Sequence, residues 1–203
     1  MHVPAPIVGQ ARCAPRPDEA ALVGRLARYD FSAAAHTHLP PQGLNFVSAI
    51  LLLHSDEPTA FSLLASLVIK LCPVFHVPSM AGLHAAQADL AELLRRALPE
   101  VDRHLKRLGV PIKESSTAWL LCAFVDVLPL PSTLRVWDVF FSGGSPVLLH
   151  AAVGVVALHE RTILAATEDE PLSLKRLFDD VRPNALMRAV TSPRVRRAAE
   201  AMQ

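Results

Sequence analysis

The chain is poor in cysteine. Cys13, Cys72 and Cys122 are the three it carries in 203 residues. They are widely separated and match no paired framework, which reads as thiols in a reducing compartment rather than a disulfide scaffold. It also lacks an excess of charge of one sign. Twenty basic residues face 19 acidic ones, a formal net charge of +1, so no field exists to attract nucleic acid or an anionic membrane as primary ligand. The first residues, Met1-His2-Val3-Pro4-Ala5-Pro6, have neither a basic nor an apolar region of a secretory signal. No run reaches the roughly 18 apolar residues of a membrane span: Lys70 interrupts one candidate, Asp126 another, and His150 and His159 bracket a third. These absences predict a soluble, cytoplasmic protein with no direct membrane insertion.

Strand signals are nearly missing as well. There is no Asn-Gly or Asp-Gly hairpin turn and little strict alternation, while Ala and Leu abound. Phosphate-binding G-x-x-x-x-G-K-[ST], dinucleotide-binding G-x-G-x-x-G, the nucleophile turn G-x-S-x-G and zinc-binding H-E-x-x-H are all absent. His36 with His38, and Cys72 with His76, have no further ligands at matching spacing and read as surface or partly packed side chains. Glu168-Asp169-Glu170 fits dipole compensation at a helix start, and Arg194, Arg196 and Arg197 fit a solvated helix face. No self-contained active site, metal site or cofactor site is expected.

What is present is apolar helix. Hydrophobic residues make up 51% of the chain, charged residues 19%, and mean hydropathy is +0.31; much of the chain must therefore be buried. A short helix is predicted over Ala20–Phe31. Leu44–Leu53, apolar almost all round, predicts a buried helix. Ser55-Asp56-Glu57-Pro58 starts a second, which runs to about Leu71 and stops at Pro73. Met80–Leu98 is amphipathic, Pro99 opens a fourth helix that Gly109 ends, and Ser115 or Ser116 caps Thr117–Leu128. Pro131–Phe141 follows, then a long helix Val147–Ala165 started by Ser145-Pro146, then Leu172–Val181 and shorter pieces at Asn184–Val190 and Pro193–Met202. The expected fold is all-α, made of packed, mostly short antiparallel helices.

Two stretches are more specific. One is Leu128-Pro129-Leu130-Pro131-Ser132-Thr133-Leu134-Arg135-Val136-Trp137-Asp138, followed by Gly144-Ser145-Pro146 and a helix ending near Leu158-His159-Glu160. The other is Gln42-Gly43-Leu44-Asn45-Phe46-Val47. In this order and at this separation they resemble the TBC domain, the helical module of Rab GTPase-activating proteins, over about Leu39 to Val181. The resemblance implies a weakly determined leader at 1–38, a TBC-like helical domain at 39–181 without a recognisable N-terminal part, and a helical tail at 182–203.

It also implies a function exerted in trans on a GTP-bound, Rab-like small GTPase, and a peripheral place at endomembranes only through that partner. Gln42 corresponds to the glutamine of the family's Y-x-Q, which orients the attacking water. The N–H groups and positive end of the following helix suit a neighbouring phosphate. Asn45 corresponds to an asparagine given a scaffolding or interface role. Arg135, Trp137 and Asp138 form a fold signature; from the apolar residues around them Arg135 and Asp138 are expected in a largely buried setting and, if paired, with partners on other helices. Two departures accompany the match. Pro40 occupies the tyrosine position, and no I-x-x-D-x-x-R, source of the family's arginine, occurs before Gln42. Weak stimulation is therefore expected, with a non-catalytic module that binds a GTPase or other protein as the alternative.

Overall fold

The computed structural model of the chain describes residues 43–77, 79–125, 127–167 and 177–202. The leader, the helix predicted over Ala20–Phe31, Gln42, and the first half of the helix predicted over Leu172–Val181 lie outside those residues; Leu177 and Phe178 form a single 3₁₀ turn. Every regular element among the described residues is helical. The fold is all-α.

The early helices follow their punctuation. Helix α1 spans Leu44–His54 and α2 Glu57–Ser66. Asp56 caps α2 by accepting the Thr59 N–H at 3.1 Å, and Pro58 occupies its first turn, where no intrahelical donor is needed. The chain then widens into a π-helical turn, Leu67–Leu71, closed by the Cys72 N–H on the Leu67 carbonyl at 2.7 Å, and Pro73 follows. Helix α3 covers Ala81–Ala97 and α4 Pro99–Arg107. Gly109 ends α4 in a left-handed conformation at φ 66°. The Val110 N–H reaches back to Leu105 O (2.9 Å) and the Gly109 N–H to Lys106 O (3.2 Å), the paired bonds of a Schellman stop.

Three predicted boundaries are corrected. A short helix α5, Ile112–Ser115, precedes α6, and Ser116 donates its hydroxyl back to Lys113 O at 2.8 Å instead of capping α6. Helix α6 covers only Thr117–Leu121 rather than continuing to Leu128. It ends because Ala123 (φ 43°) and Phe124 (φ 69°) turn left-handed. The Phe124 N–H then bonds Trp119 O at 2.9 Å, and the Ala123 N–H lies 3.4 Å from Leu120 O. This is the same stop as at Gly109, built without glycine. Finally, the predicted long helix is two: α8, Pro146–Leu158, and α9, Glu160–Ala165, broken at His159, whose φ and ψ are −106° and 15°.

Helices α7 (Leu130–Gly143), α10 (Pro183–Val190) and α11 (Pro193–Glu200) complete the described residues. Helix α8 is the centre. Leu148 and the run Ala151–Val156 are all buried, and α3, α7 and α10 pack around it. Close approach of α10 is possible because residue 154 has no side chain; a Cβ there would stand 2.9 Å from Val190 Cγ2. One continuous core joins α1 to α11, with Trp137, Phe124, Phe140 and Phe178 fully enclosed.

The expectation for α1 needs a second correction. Only Leu44, Val47 and Leu51 are buried. Phe46, Leu52 and Leu53 are 48%, 54% and 73% exposed, and Phe61 of α2 is 44% exposed. An apolar helix is not necessarily an enclosed one: a single face of α1 meets the core.

Candidate functional site

The site is organised around the start of α1. Gln42 lies outside the described residues, but the residue bonded to it does not. Gly43 forms the N-terminal cap of α1 at φ 95° and ψ −27°, a region open to glycine and strained for side-chain-bearing residues. It is buried, and its Cα faces the end of α6. A Cβ at this position would lie 2.8 Å from Cys122 Sγ and 3.0 Å from Leu121 O. Glycine is thus required twice, by dihedral and by space. This double requirement is not visible in a lone glycine codon; the contact spans nearly eighty residues of chain.

The surface on which Gly43 rests is the turn that ends α6, and helix α7 holds that turn from beneath. Trp137, fully buried, donates its indole N–H to Ala123 O at 2.9 Å. Thr133, also fully buried, places its hydroxyl 3.3 Å from both Phe124 O and Leu128 O. Phe124 O also accepts the Val127 and Leu128 N–H groups at 3.2 and 3.0 Å, whereas Ala123 O is held by the indole, and a buried carbonyl that loses such a donor costs about 1–3 kcal/mol. Phe178 closes the other side, packing at 4.5 Å between ring centroids on Trp119 and 6.3 Å on Phe124. Of these residues, sequence reasoning singled out Trp137 as a signature but assigned no role to Cys122, Ala123 or Thr133.

Arg135 and Asp138 differ from expectation. They pair with each other, Arg135 Nη1 to Asp138 Oδ2 at 3.3 Å, one turn apart on α7. Their side chains are 32% and 16% exposed, so the pair lies at the edge of the core rather than inside it. Asn45 stands exposed in the first turn of α1, as does Phe46 beside it in sequence. No cluster of three or more His, Cys, Asp or Glu among the described residues could hold a metal ion, and no described helix is long and apolar enough to cross a membrane.

An all-helical fold with a glutamine-glycine entry into α1 and an L-P-x-x-x-x-L-R-V-W-D helix behind it defines a class: the Rab-GTPase-TBC domain family, whose profile matches residues 41–164. The chain belongs to that family. Growth hormone-regulated TBC protein 1 of Homo sapiens is 38% identical over 127 residues, which are 62% of this chain and 38% of that protein. Carabin of Mus musculus is 34% identical over 117 residues, 58% of this chain and 26% of that protein. The chain therefore spans well under half the length of these relatives. Among solved structures, the Chlamydomonas flagellar RabGAP TBC domain superposes with a TM-score of 0.64 at 23% identity, covering 87% of this chain and 60% of that one. That likeness shows the fold.

Proposed function

We propose that this chain stimulates GTP hydrolysis by a GTP-bound, Rab-like small GTPase, and that Gln42 orients the attacking water. The carrying observation is that the family match includes Gln42 and that Gly43, directly after it, is locked against α6 by both dihedral and contact. Hydrolysis of bound GTP requires an in-line water and charge compensation on the transferring phosphoryl group. A glutamine can meet the first need: its amide can both accept from and donate to the water. We assign Asn45, exposed in the first turn of α1, to local scaffolding or to the interface with the same partner.

Residues 1–203 taken by themselves should stimulate weakly. An arginine supplied in trans contributes roughly 10³–10⁵ in rate, and no I-x-x-D-x-x-R precedes Gln42. Together with Pro40 in the tyrosine position, that departure favours a second reading, a non-catalytic module that keeps the TBC shape and binds a GTPase or another protein. With a GTPase as partner, location follows from it: cytoplasmic, and peripheral at endomembranes through the GTPase.

Single-turnover GTP hydrolysis across a panel of Rab proteins separates the two. Faster hydrolysis with the wild type that Gln42→Ala abolishes supports catalysis. Nucleotide-dependent binding with unchanged hydrolysis supports the binding module, and acceleration that survives Gln42→Ala removes the glutamine from the mechanism.

A further inference from the structure

Arginines gather at two places that the fold brings together. Arg95 and Arg96 close α3, and Arg194, Arg196 and Arg197 follow one another on α11. The two helices pack on each other, with Ala97 of α3 and Val195 and Ala198 of α11 buried. Beside that contact a cleft of about 360 Å³ opens, lined by Arg96, Arg194, Arg197, Ala97, Ala198 and Ala201. Its other side chains are single methyl groups, so the guanidiniums are its only polar ones, and no carboxylate lines it. The neighbouring acids are already engaged. Glu92 accepts from Arg95 through both oxygens and from Arg96 Nε through Oε1. Glu160, on α9, accepts from Arg194 Nη1 and Nη2 at 2.9 and 3.3 Å. Arg96 Nη1 also donates to Ala201 O at 3.0 Å, offsetting the negative end of α11. Arg197 makes no ion pair or side-chain hydrogen bond among the described residues.

We propose that this cleft binds a phosphate monoester, with Arg197 as the principal donor and Arg96 and Arg194 as supports already held in place. The charges match. Arg95, Arg96, Arg194 and Arg197 face Glu92 and Glu160, an excess of two positive charges. The Arg194 pKa is raised, first by its hydrogen bonds to Glu160 and least by Glu100, which acts without contact. A phosphate monoester carries about −1.5 to −2 at neutral pH and offers three acceptor oxygens. The geometry of the donors matches too, since a guanidinium fork engages two phosphate oxygens at once. Arg96 and Arg194 are restrained by Glu92, Ala201 and Glu160, so they lose little freedom when a ligand arrives. A phosphodiester or a carboxylate brings a single charge and leaves part of the excess uncompensated. The near-neutral total of the chain, +1, conceals this local imbalance. The same group can be presented by a soluble phosphorylated metabolite or by a lipid headgroup at a membrane surface. The proposal is independent of the reading of Gln42.

The test uses the full chain in two arms. Calorimetry follows titration with inorganic phosphate and with glycerol 3-phosphate. Flotation follows retention on phosphatidylcholine vesicles carrying phosphatidic acid, a monoester headgroup, or phosphatidylserine at matched charge. Saturable binding of glycerol 3-phosphate, or retention on phosphatidic acid above phosphatidylserine, is expected, and the arm that responds names the source. Arg197→Gln is expected to weaken that binding roughly tenfold or more. Arg196→Gln removes the same charge one position away, outside the lining of the cleft, and is expected to change it less than about twofold. Neither substitution removes a described side-chain bond, so both variants are expected to melt with the wild type and the comparison reads binding alone. Absence of saturable binding in both arms overturns the site. So does an equal loss in Arg196→Gln and Arg197→Gln, or, where vesicles alone bind, equal retention on the two lipids, since diffuse charge attraction then accounts for the result.

Discussion

Gln87 Nε2 donates to Lys113 O at 2.6 Å and lies 2.9 Å from Thr117 Oγ1, so a single amide on α3 ties down both short helices α5 and α6. Its Oε1 meets His84 Nδ1 at 3.3 Å, leaving no idle polar atom on a side chain that is 6% exposed. The amide is thereby a clamp at the base of the segment that supports Gly43. Gln87→Met, similar in size but without donors, leaves the Lys113 carbonyl to the Ser116 hydroxyl alone and removes the donor to Thr117 Oγ1, and is expected to lower stability by about 0.5–1.5 kcal/mol. Gln87→Glu should be worse at neutral pH, because a carboxylate accepts but cannot donate to a carbonyl, and should recover in acid as its proton returns. Urea midpoints of both variants at two pH values check the order.

Gly43 and Gly109 offer an internal comparison, since both have positive φ, 95° and 66°, but only Gly43 has atoms where a Cβ would go. Gly109→Ala meets open space, so its expected loss, about 1 kcal/mol, is backbone strain alone. Gly43→Ala adds a collision with Cys122 Sγ and Leu121 O and should lose roughly 1–3 kcal/mol more. Adding Cys122→Ala to Gly43→Ala removes the sulfur and should recover part of that difference, whereas the same addition to Gly109→Ala should be additive. Denaturant unfolding of the four variants measures it.

How much of this was legible beforehand depends on whether the signal is local. The Asp56 cap, Pro58 and the Gly109 stop are encoded within one helical turn, and the helices they bound were correctly placed. The end of α6 was not, because Ala123 does the work normally done by glycine and its stabilisers, Trp137 and Thr133, lie ten to fourteen residues downstream. The break at His159 is equally silent in a run of helix formers. For the site, motif order pointed to residues 42–45 and to α7 as separate features. Their mechanical connection through Cys122 and Ala123 is a tertiary fact that no spacing rule expresses.

The outer face of α1 shows the other limit of pattern reading, since its composition implied enclosure while Leu53 is 73% exposed. Leu53→Lys is therefore expected to leave the unfolding free energy within about 0.5 kcal/mol of wild type and to raise solubility by breaking the exposed apolar stripe it shares with Phe46, seven residues earlier on α1. Leu51→Lys, two residues earlier and fully buried, should prevent folding. Circular dichroism melts and the concentration at which each variant precipitates distinguish the two positions. Equal damage from both would mean that the outer face of α1 is covered in solution.

His76 supplies a pH dependence whose sign follows from its burial. Its Nε2 is buried without a hydrogen-bond partner, and desolvation pushes the imidazole pKa down from 6.5 to about 4. The folded protein thus keeps His76 neutral across a range in which the unfolded chain binds a proton. Between those two values the unfolded state carries more protons, so stability increases with pH through the window and is lost as pH falls toward 4. The slope from this residue is at most about 1.4 kcal/mol per pH unit, and above 6.5 it vanishes. His150, half-buried on α8 with its pKa also lowered by desolvation, adds a contribution of the same sign. His76→Phe should accordingly flatten, though not abolish, the acid limb of a plot of urea midpoint against pH, while leaving the plateau above neutrality level. An acid limb of unchanged steepness in His76→Phe would show that the imidazole is already solvated in the native state.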